Sequence, residues 1–215
     1  MGKDDYDMNE MDKPDKLISL AMELQAIAQN GLAYTRDAFD KERFDRVREI
    51  AAEIMAMKTE LPLEKVKDVF CGEYGYQTPK LDTRAAIFQD GKILLVKEAG
   101  GWSLPGGWCD YNQTPASNTV KEVKEEAGLY VEPVKVIAIQ DRNRHNFPQY
   151  ANPICKIFFL CKVLGGSFQE NIETTESGFF SPDELPALNG DKNTLEQIKM
   201  CFDAAADPDW KTLFD

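Results

Sequence analysis

Gly106-Gly107-Trp108-Cys109-Asp110-Tyr111-Asn112-Gln113 runs into Thr114-Pro115 and on to Lys121-Glu122-Val123-Lys124-Glu125-Glu126-Ala127-Gly128-Leu129. Thr114 is a good N-cap and Pro115 suits a first helical turn. A helix is therefore predicted from 114 to 127, stopped by Gly128. At about 100° per residue, Glu122, Glu125 and Glu126 fall within an arc of about 100°. Ala116, Val120, Val123 and Ala127 fall on a separate face that can pack on a sheet. The helix thus pairs a buried stripe with a carboxylate stripe.

Such a stripe can be an ordinary solvated face, because like charges at i,i+4 on an exposed helix cost only roughly a few tenths of a kcal/mol. In a partly buried cleft the balance changes. Two carboxylates about 5 Å apart at an effective dielectric near 20 repel by about 3 kcal/mol. A converging cluster calls for a bound cation, and all-oxygen ligands point to Mg2+ or Mn2+.

Upstream, Thr83-Arg84-Ala85-Ala86-Ile87-Phe88 reads as a strand, Asp90-Gly91 as a hairpin turn and Ile93-Leu94-Leu95-Val96 as the return strand. Gly100 to Gly107 reads as a Gly-rich loop. Downstream, strands are predicted at about 130–140 and 154–164, a short one at Phe179-Phe180, and a last helix at about 192–204. The order from residue 80, β-β-α-β-β-β-α, is that of a mixed α/β domain.

The first 70 or so residues read as helical. Leu17, Leu20, Ala21, Leu24, Ile27 and Ala28 recur at helical spacing and Gly31 is taken as the stop. A second helix follows Asp40 as N-cap, with the stripe Phe44, Val47, Ala51, Ile54 and Met55. Leu63 to Phe70 is a short third. So small a helical region buries little by itself and needs a partner surface. Residues 1–13, with Asp4, Asp5, Asp7, Glu10 and Asp12, read as an acidic disordered tail.

The 215 residues carry a net charge of −12, and 43% are hydrophobic. That composition supports a real core. No apolar run reaches the roughly 18–20 residues of a membrane span, and Met1-Gly2-Lys3-Asp4-Asp5 lacks the apolar start of a secretory signal. A cytoplasmic protein with no membrane partner is expected. Nucleic acid is disfavoured as a partner, since a non-specific binder should be basic. An acidic enzyme acting on phosphates instead needs a cation to bridge its carboxylates to the substrate. Cys71, Cys109, Cys155, Cys161 and Cys201 show no CxxC spacing, and the single histidine, His145, cannot complete a zinc set. Reduced, buried thiols are expected.

The opening stretch resembles the Nudix box, which is a glycine, five residues, a glutamate, seven residues, then Arg-Glu-aliphatic-x-Glu-Glu-x-Gly-aliphatic. Gly107 takes the first position, and Glu122, Val123, Glu125, Glu126, Gly128 and Leu129 match the end. Trp102-Ser103-Leu104-Pro105-Gly106-Gly107 looks like the family's loop. Gln113 departs from the usual glutamate and Lys121 from the usual arginine. In the family that arginine orients a neighbouring glutamate. Lysine keeps the charge without the planar fork, and glutamine keeps hydrogen bonding without the charge, so Lys121 and Gln113 remain the orienting candidates.

Ala28-Gln29-Asn30-Gly31-Leu32-Ala33-Tyr34, Phe39-Asp40 with Arg43-Phe44, and Gly75-Tyr76-Gln77-Thr78-Pro79-Lys80-Leu81-Asp82 with Arg84 resemble a two-part Nudix subgroup with a helical N-terminal domain. The subgroup is described as hydrolysing nucleoside diphosphates linked to X, with ADP-ribose and CDP-choline as associated substrates. The resemblance covers about residues 15 to 210. It implies a Nudix α/β/α sandwich with a mixed sheet over 76–215, preceded by a small all-helical N-terminal domain over 14–75. It also implies a homodimer.

The resemblance further implies Mg2+ or Mn2+ held by Glu122, Glu125, Glu126 and the Gly107 carbonyl, and in-line attack of water on one phosphorus. The products would be a nucleoside monophosphate and a phosphorylated X. The proton acceptor is a box glutamate or a later one. Glu173 stands where the later one is expected, with Glu176 as its neighbour. Arg84, Arg142, Arg144 and His145 are candidates for substrate contact, against the plainer reading of 141–145 as a polar surface loop. Trp102 and Trp108 could stack on a base or simply pack. A non-catalytic nucleotide-binding Nudix module and an RNA-processing Nudix enzyme are the alternatives.

Overall fold

In the computed structural model, which describes residues 15–59 and 61–215, the apolar runs of the C-terminal part pair into a mixed sheet. The acidic tail expected over 1–13 lies outside the described residues. β1 (Lys80–Gln89) turns at Asp90-Gly91 into β2 (Lys92–Glu98), and β3 (Gly101–Ser103) follows. Both turn residues have positive φ, 49° and 74°, as a tight hairpin of this hand requires. α4 (Pro115–Ala127) leads to β4 (Leu129–Asp141), the short α5 (Arg142–His145), β5 (Ile154–Gly166) and β6 (Glu176–Phe180). α6 (Leu195–Ala206) and β7 (Leu213–Phe214) complete the chain. The strand order is β3-β2-β1-β5-β4-β7, with β6 on β2. β1 runs parallel to β5 and antiparallel to β2, and β4 runs antiparallel to β5.

The period-two alternation of β1 decides what each face meets. Ala85 and Ile87 pack with Val123 and Ala127 of α4, together with Phe159 and Cys161. Ala86 packs on the other face with Phe158, Ile198, Cys201 and Ala204. Helices on both faces of one mixed sheet make the α/β/α sandwich. Three short elements were not anticipated. β3 lies inside the expected Gly-rich loop, and α5 and β7 are too brief for any periodicity to show.

The chain divides into two compact units, one reaching Thr78 and including Gln149–Asn152, the other comprising Pro79–Pro148 and Pro153–Asp215. The first holds α1 (Lys16–Tyr34), α2 (Ala38–Thr59) and α3 (Leu63–Phe70). Its core is Ala21, Ala51, Ala52, Met55, Val66 and Phe70. Gly31 does not stop α1, which continues to Tyr34. A Cβ at Gly31 would run into the Phe44 ring, so this glycine lets α2 approach closely. The cap of α2 is Asp37 rather than Asp40, since Asp37 Oδ1 accepts from the Phe39 and Asp40 N–H groups (both 2.9 Å). The expected α1 stripe is only partly inside, because Leu17, Leu20 and Ile27 are exposed while Gln25 and Gln29 are buried. Arg48 explains part of that reversal. Its guanidinium donates to Gln25 Oε1 (3.3 Å), Glu73 O (3.0 Å) and Cys71 O, tying α2 to α1 and to the end of α3.

A charged layer lies in the sandwich. Asp82, Arg84, Arg142 and Lys156 are all buried. Burial pushes the Lys156 amine down to about 7, opposed by the charge of Asp82. The folded value thus lies below the unfolded value of about 10.4. Between those values the unfolded chain binds more protons, so stability rises with pH. The contribution is fully present above about 10.4 and is lost as pH falls through about 7. In urea titrations, wild type should gain on Lys156→Met across pH 7 to 10, by at most about 1.4 kcal/mol per pH unit. A pH-independent difference would contradict this.

Candidate active site

Residues 105–109 lie along β1 as an added extended run. The Ala85 N–H donates to Pro105 O, the Thr83 N–H to Gly107 O, and the Cys109 N–H to Leu81 O, each at 2.9 Å. Gly106 has φ 141°, and a Cβ there would overlap the Thr83 carbonyl oxygen. Only glycine allows that approach. A Cβ at Gly107 would come within 2.9 Å of Glu122 Oε2, so this backbone and that carboxylate are adjacent.

α4 is capped at both ends. Thr114 caps it in a reciprocal box with Ser117, and Gly128 ends it with φ 68°. The buried Asn118 donates from Nδ2 to Thr83 Oγ1 (3.0 Å) and accepts the Asp110 N–H at Oδ1 (3.3 Å). The helix is therefore pinned to β1 and to the loop together. Val123 and Ala127 are fully buried and Val120 packs beside them, whereas Ala116 is exposed.

The three glutamates differ in environment. Glu126 is 4% exposed, and its Oε2 accepts the Gly106 N–H at 2.7 Å. Burial pushes its carboxyl up to about 7, against the pull of Gly106 and Arg84, while Glu98 raises it further. The Glu122 side chain is largely covered and that of Glu125 is about half exposed. The Lys121 ammonium joins them, at 3.0 Å from Glu122 Oε1, 3.0 Å from Glu125 Oε2 and 3.3 Å from Asp110 Oδ2. Hydrogen bonds to Glu122 first and Glu125 second hold it well above the usual lysine range.

Among the described residues, no three acidic, histidine or cysteine side chains converge into an ion site by themselves. Glu126 turns to Gly106, while Glu122 and Glu125 share Lys121. The donor chemistry nevertheless fits a hard divalent cation, being three carboxylates and a backbone carbonyl. The cradle at Gly107, which a Cβ would fill, and the desolvated Glu126 fit it as well.

Arg84 is 3% exposed and committed internally, to Asp82 (2.7 and 2.9 Å) and to Leu104 O (3.2 Å). It holds the loop from behind. Arg142 is buried and donates to Pro148 O (2.6 Å). His145 pairs with Asp215 (2.8 Å), whereas Arg144 is mostly exposed, 3.8 Å from Asp141. The structure thus gives Arg84, Arg142 and His145 internal partners, and Arg144 is the open one of the four. Glu173 stands on an exposed turn whose Asn171 donates from Nδ2 to Glu125 O (3.0 Å). Glu176 is paired with Lys97. Trp102 packs edge-on against Phe180 (4.8 Å between rings), while Trp108 is 52% exposed. All five cysteines are free, with only Cys161 and Cys201 buried. Sequence reading missed Asp110, Asn118, Glu98 and Lys192. The Lys192 ammonium bonds Glu98, and both charges act on Glu126. Only Asp110 carried a signal, as a carboxylate three residues from the substituted position 113.

Two family models match the chain, a UDP-X-like N-terminal oligomerisation domain over residues 15–70 and a NUDIX domain over residues 79–200. A putative ADP-ribose pyrophosphatase of Bacillus subtilis (strain 168) is 42% identical over 202 residues, covering 93% of this chain and 97% of that protein. The crystal structure of an ADP-ribose pyrophosphatase from Streptococcus suis 89-1591 is 57% identical, with TM-score 0.60, over 64% of this chain and 100% of that chain. The crystal structure of a UDP-X diphosphatase is 34% identical, with TM-score 0.60, over 92% of this chain and 97% of that chain.

The close approach at Gly106 yields a sharp expectation. Gly106→Ala must push the loop off β1 and remove the Glu126 contact. Activity should fall by at least about 100-fold, the scale of a misplaced catalytic constellation. An alanine variant with wild-type turnover would show that the loop is not held as described.

Proposed function

The chain belongs to the Nudix hydrolase family, and from that premise we propose that it splits the phosphoanhydride bond of a nucleoside diphosphate linked to X, with Mg2+ or Mn2+ as cofactor. Nudix hydrolases generally need a divalent metal. The carrying observation is the placement of Glu122, Glu125 and Glu126 on α4 against the Gly106-Gly107 loop. ADP-ribose is the leading substrate, because the full-length relative is named for that activity. A UDP-linked X or CDP-choline comes next. Intact box glutamates favour an enzyme over a nucleotide-binding module that has lost turnover.

Glu122, Glu125, Glu126 and the Gly107 carbonyl are the residues assigned to hold the cation. A bound divalent cation neutralises charge on the diphosphate and lowers the pKa of the attacking water. Arg84 and Asp82 keep the loop seated. Glu173 is assigned the water proton, because Asn171 ties its turn to the backbone of Glu125 and because Glu176 is engaged by Lys97. Trp108 and Arg144 are the exposed groups assigned to base and phosphate.

The chain is assigned as a homodimer. Its N-terminal region matches an oligomerisation domain, and Leu17, Leu20, Ile27 and Phe39 are exposed apolar residues there. Most soluble oligomers are symmetric dimers.

A panel of ADP-ribose, UDP-sugars and CDP-choline, with and without Mg2+, tests the activity. Full turnover in excess chelator would sink the metal assignment. Glu125→Gln should lower kcat by at least about 100-fold with the fold intact; a variant within threefold of wild type would mean the box is not the site. Light scattering should give a dimer mass for wild type, and Ile27→Asp should shift it toward the monomer.

A further inference from the structure

We propose that Asp110 is a positioning residue: its carboxylate, rather than a side chain at position 113, completes the set of anions that holds Lys121 and so fixes Glu122 and Glu125. This rests on the assignment of those glutamates as the hydrolytic site. It concerns the two places where the chain departs from its family's box, and it explains how both can be tolerated together.

An ammonium has three donors and no acceptor. Lys121 Nζ meets three carboxylates, Glu122 at 3.0 Å, Glu125 at 3.0 Å and Asp110 at 3.3 Å, so its capacity is filled. Two of the three belong to α4 itself and move with it. Asp110 is the partner from outside the helix. It therefore decides where on the helix face a flexible four-carbon stem comes to rest. Gln113, by contrast, enters through its backbone among the described residues. Its N–H donates to Asp110 O (3.0 Å) and its carbonyl accepts weakly from the Cys109 thiol (3.7 Å).

Asp110 is well placed for this. Its N–H is fixed by Asn118, which also bonds Thr83, so its backbone is referenced to both α4 and β1. The charge balance is apt as well. One ammonium among three carboxylates leaves two negative charges, enough for a divalent cation to be drawn to the pair on α4. The Asp110 side chain is 52% exposed, and exposed ion pairs contribute little to stability. Its effect should therefore appear in cation binding and turnover and not in melting temperature. Partners that orient metal ligands typically change affinity or activity by about 10- to 100-fold when removed.

The test measures Mn2+ dissociation constants by EPR on the full chain, alongside kcat, KM and melting temperature. Asp110→Asn should weaken Mn2+ binding about tenfold and lower kcat, with melting unchanged. Asp110→Glu should stay near wild type. Adding Gln113→Glu to Asp110→Asn should bring Mn2+ binding back to within about threefold of wild type, by supplying a carboxylate from the neighbouring position. In a Lys121→Met background, Asp110→Asn should have no further effect. Mn2+ binding by Asp110→Asn within twofold of wild type overturns the proposal. So does an equal loss in the Lys121→Met background. A wild type that binds Mn2+ and loses it in Glu125→Gln, with Asp110→Asn silent, defeats this inference alone. A wild type without Mn2+ binding defeats the functional assignment and this inference with it.

Discussion

The clasp between the Glu126 carboxylate and the Gly106 N–H is the contact on which the remaining site geometry depends. It can form only because residues 105–109 lie flat along β1, and they lie flat only because position 106 has no Cβ to strike the Thr83 carbonyl. Once that approach is made, the helix position follows. Asn118 meets Thr83, Glu122 comes beside Gly107, and Lys121 faces the loop. An interior strand, a turn and a helix face thus share one reference point, which keeps several carboxylates in register.

Beneath that contact lies a layer of charge that an apolar core would not need. Arg84, Arg142 and Lys156 are nearly sealed, with Asp82 beside Arg84 and the Lys192–Glu98 pair close to Glu126. Such pairs seldom add net stability, because desolvation offsets attraction. Their better-attested use is to fix one arrangement against others; here Arg84 ties Asp82 to the Leu104 carbonyl beside the loop, while Arg142 holds the Pro148 carbonyl.

The fold was legible where the signal was periodic or capped. Asp90-Gly91, Thr114-Pro115 and Gly128 each act through local backbone chemistry, so the sequence alone located the hairpin and the box helix. Gly31 misled, because a close-packing glycine and a helix-stopping glycine look the same until Phe44 is seen across from it. The α1 stripe misled for a related reason. Leu17, Leu20 and Ile27 have helical spacing, but spacing does not say whether the covering surface lies within the same chain. The glutamates were legible from their shared arc. Their differences were not, since the burial of Glu126 and the company kept by Lys121 come from residues far off in sequence. The internal partners of Arg84, Arg142 and His145 were not legible, because polar side chains near a strand end are as readily used to tie the sheet as to meet a ligand.

The turn bearing Glu173 hangs from the main-chain oxygen of Glu125, through Asn171, and not from that residue's side chain. Residue identity at 125 is thereby separated from the location of the neighbouring loop. The side chain at 125 can therefore be replaced without releasing this tether, so a substitution there removes a carboxylate and leaves the neighbouring turn where it is.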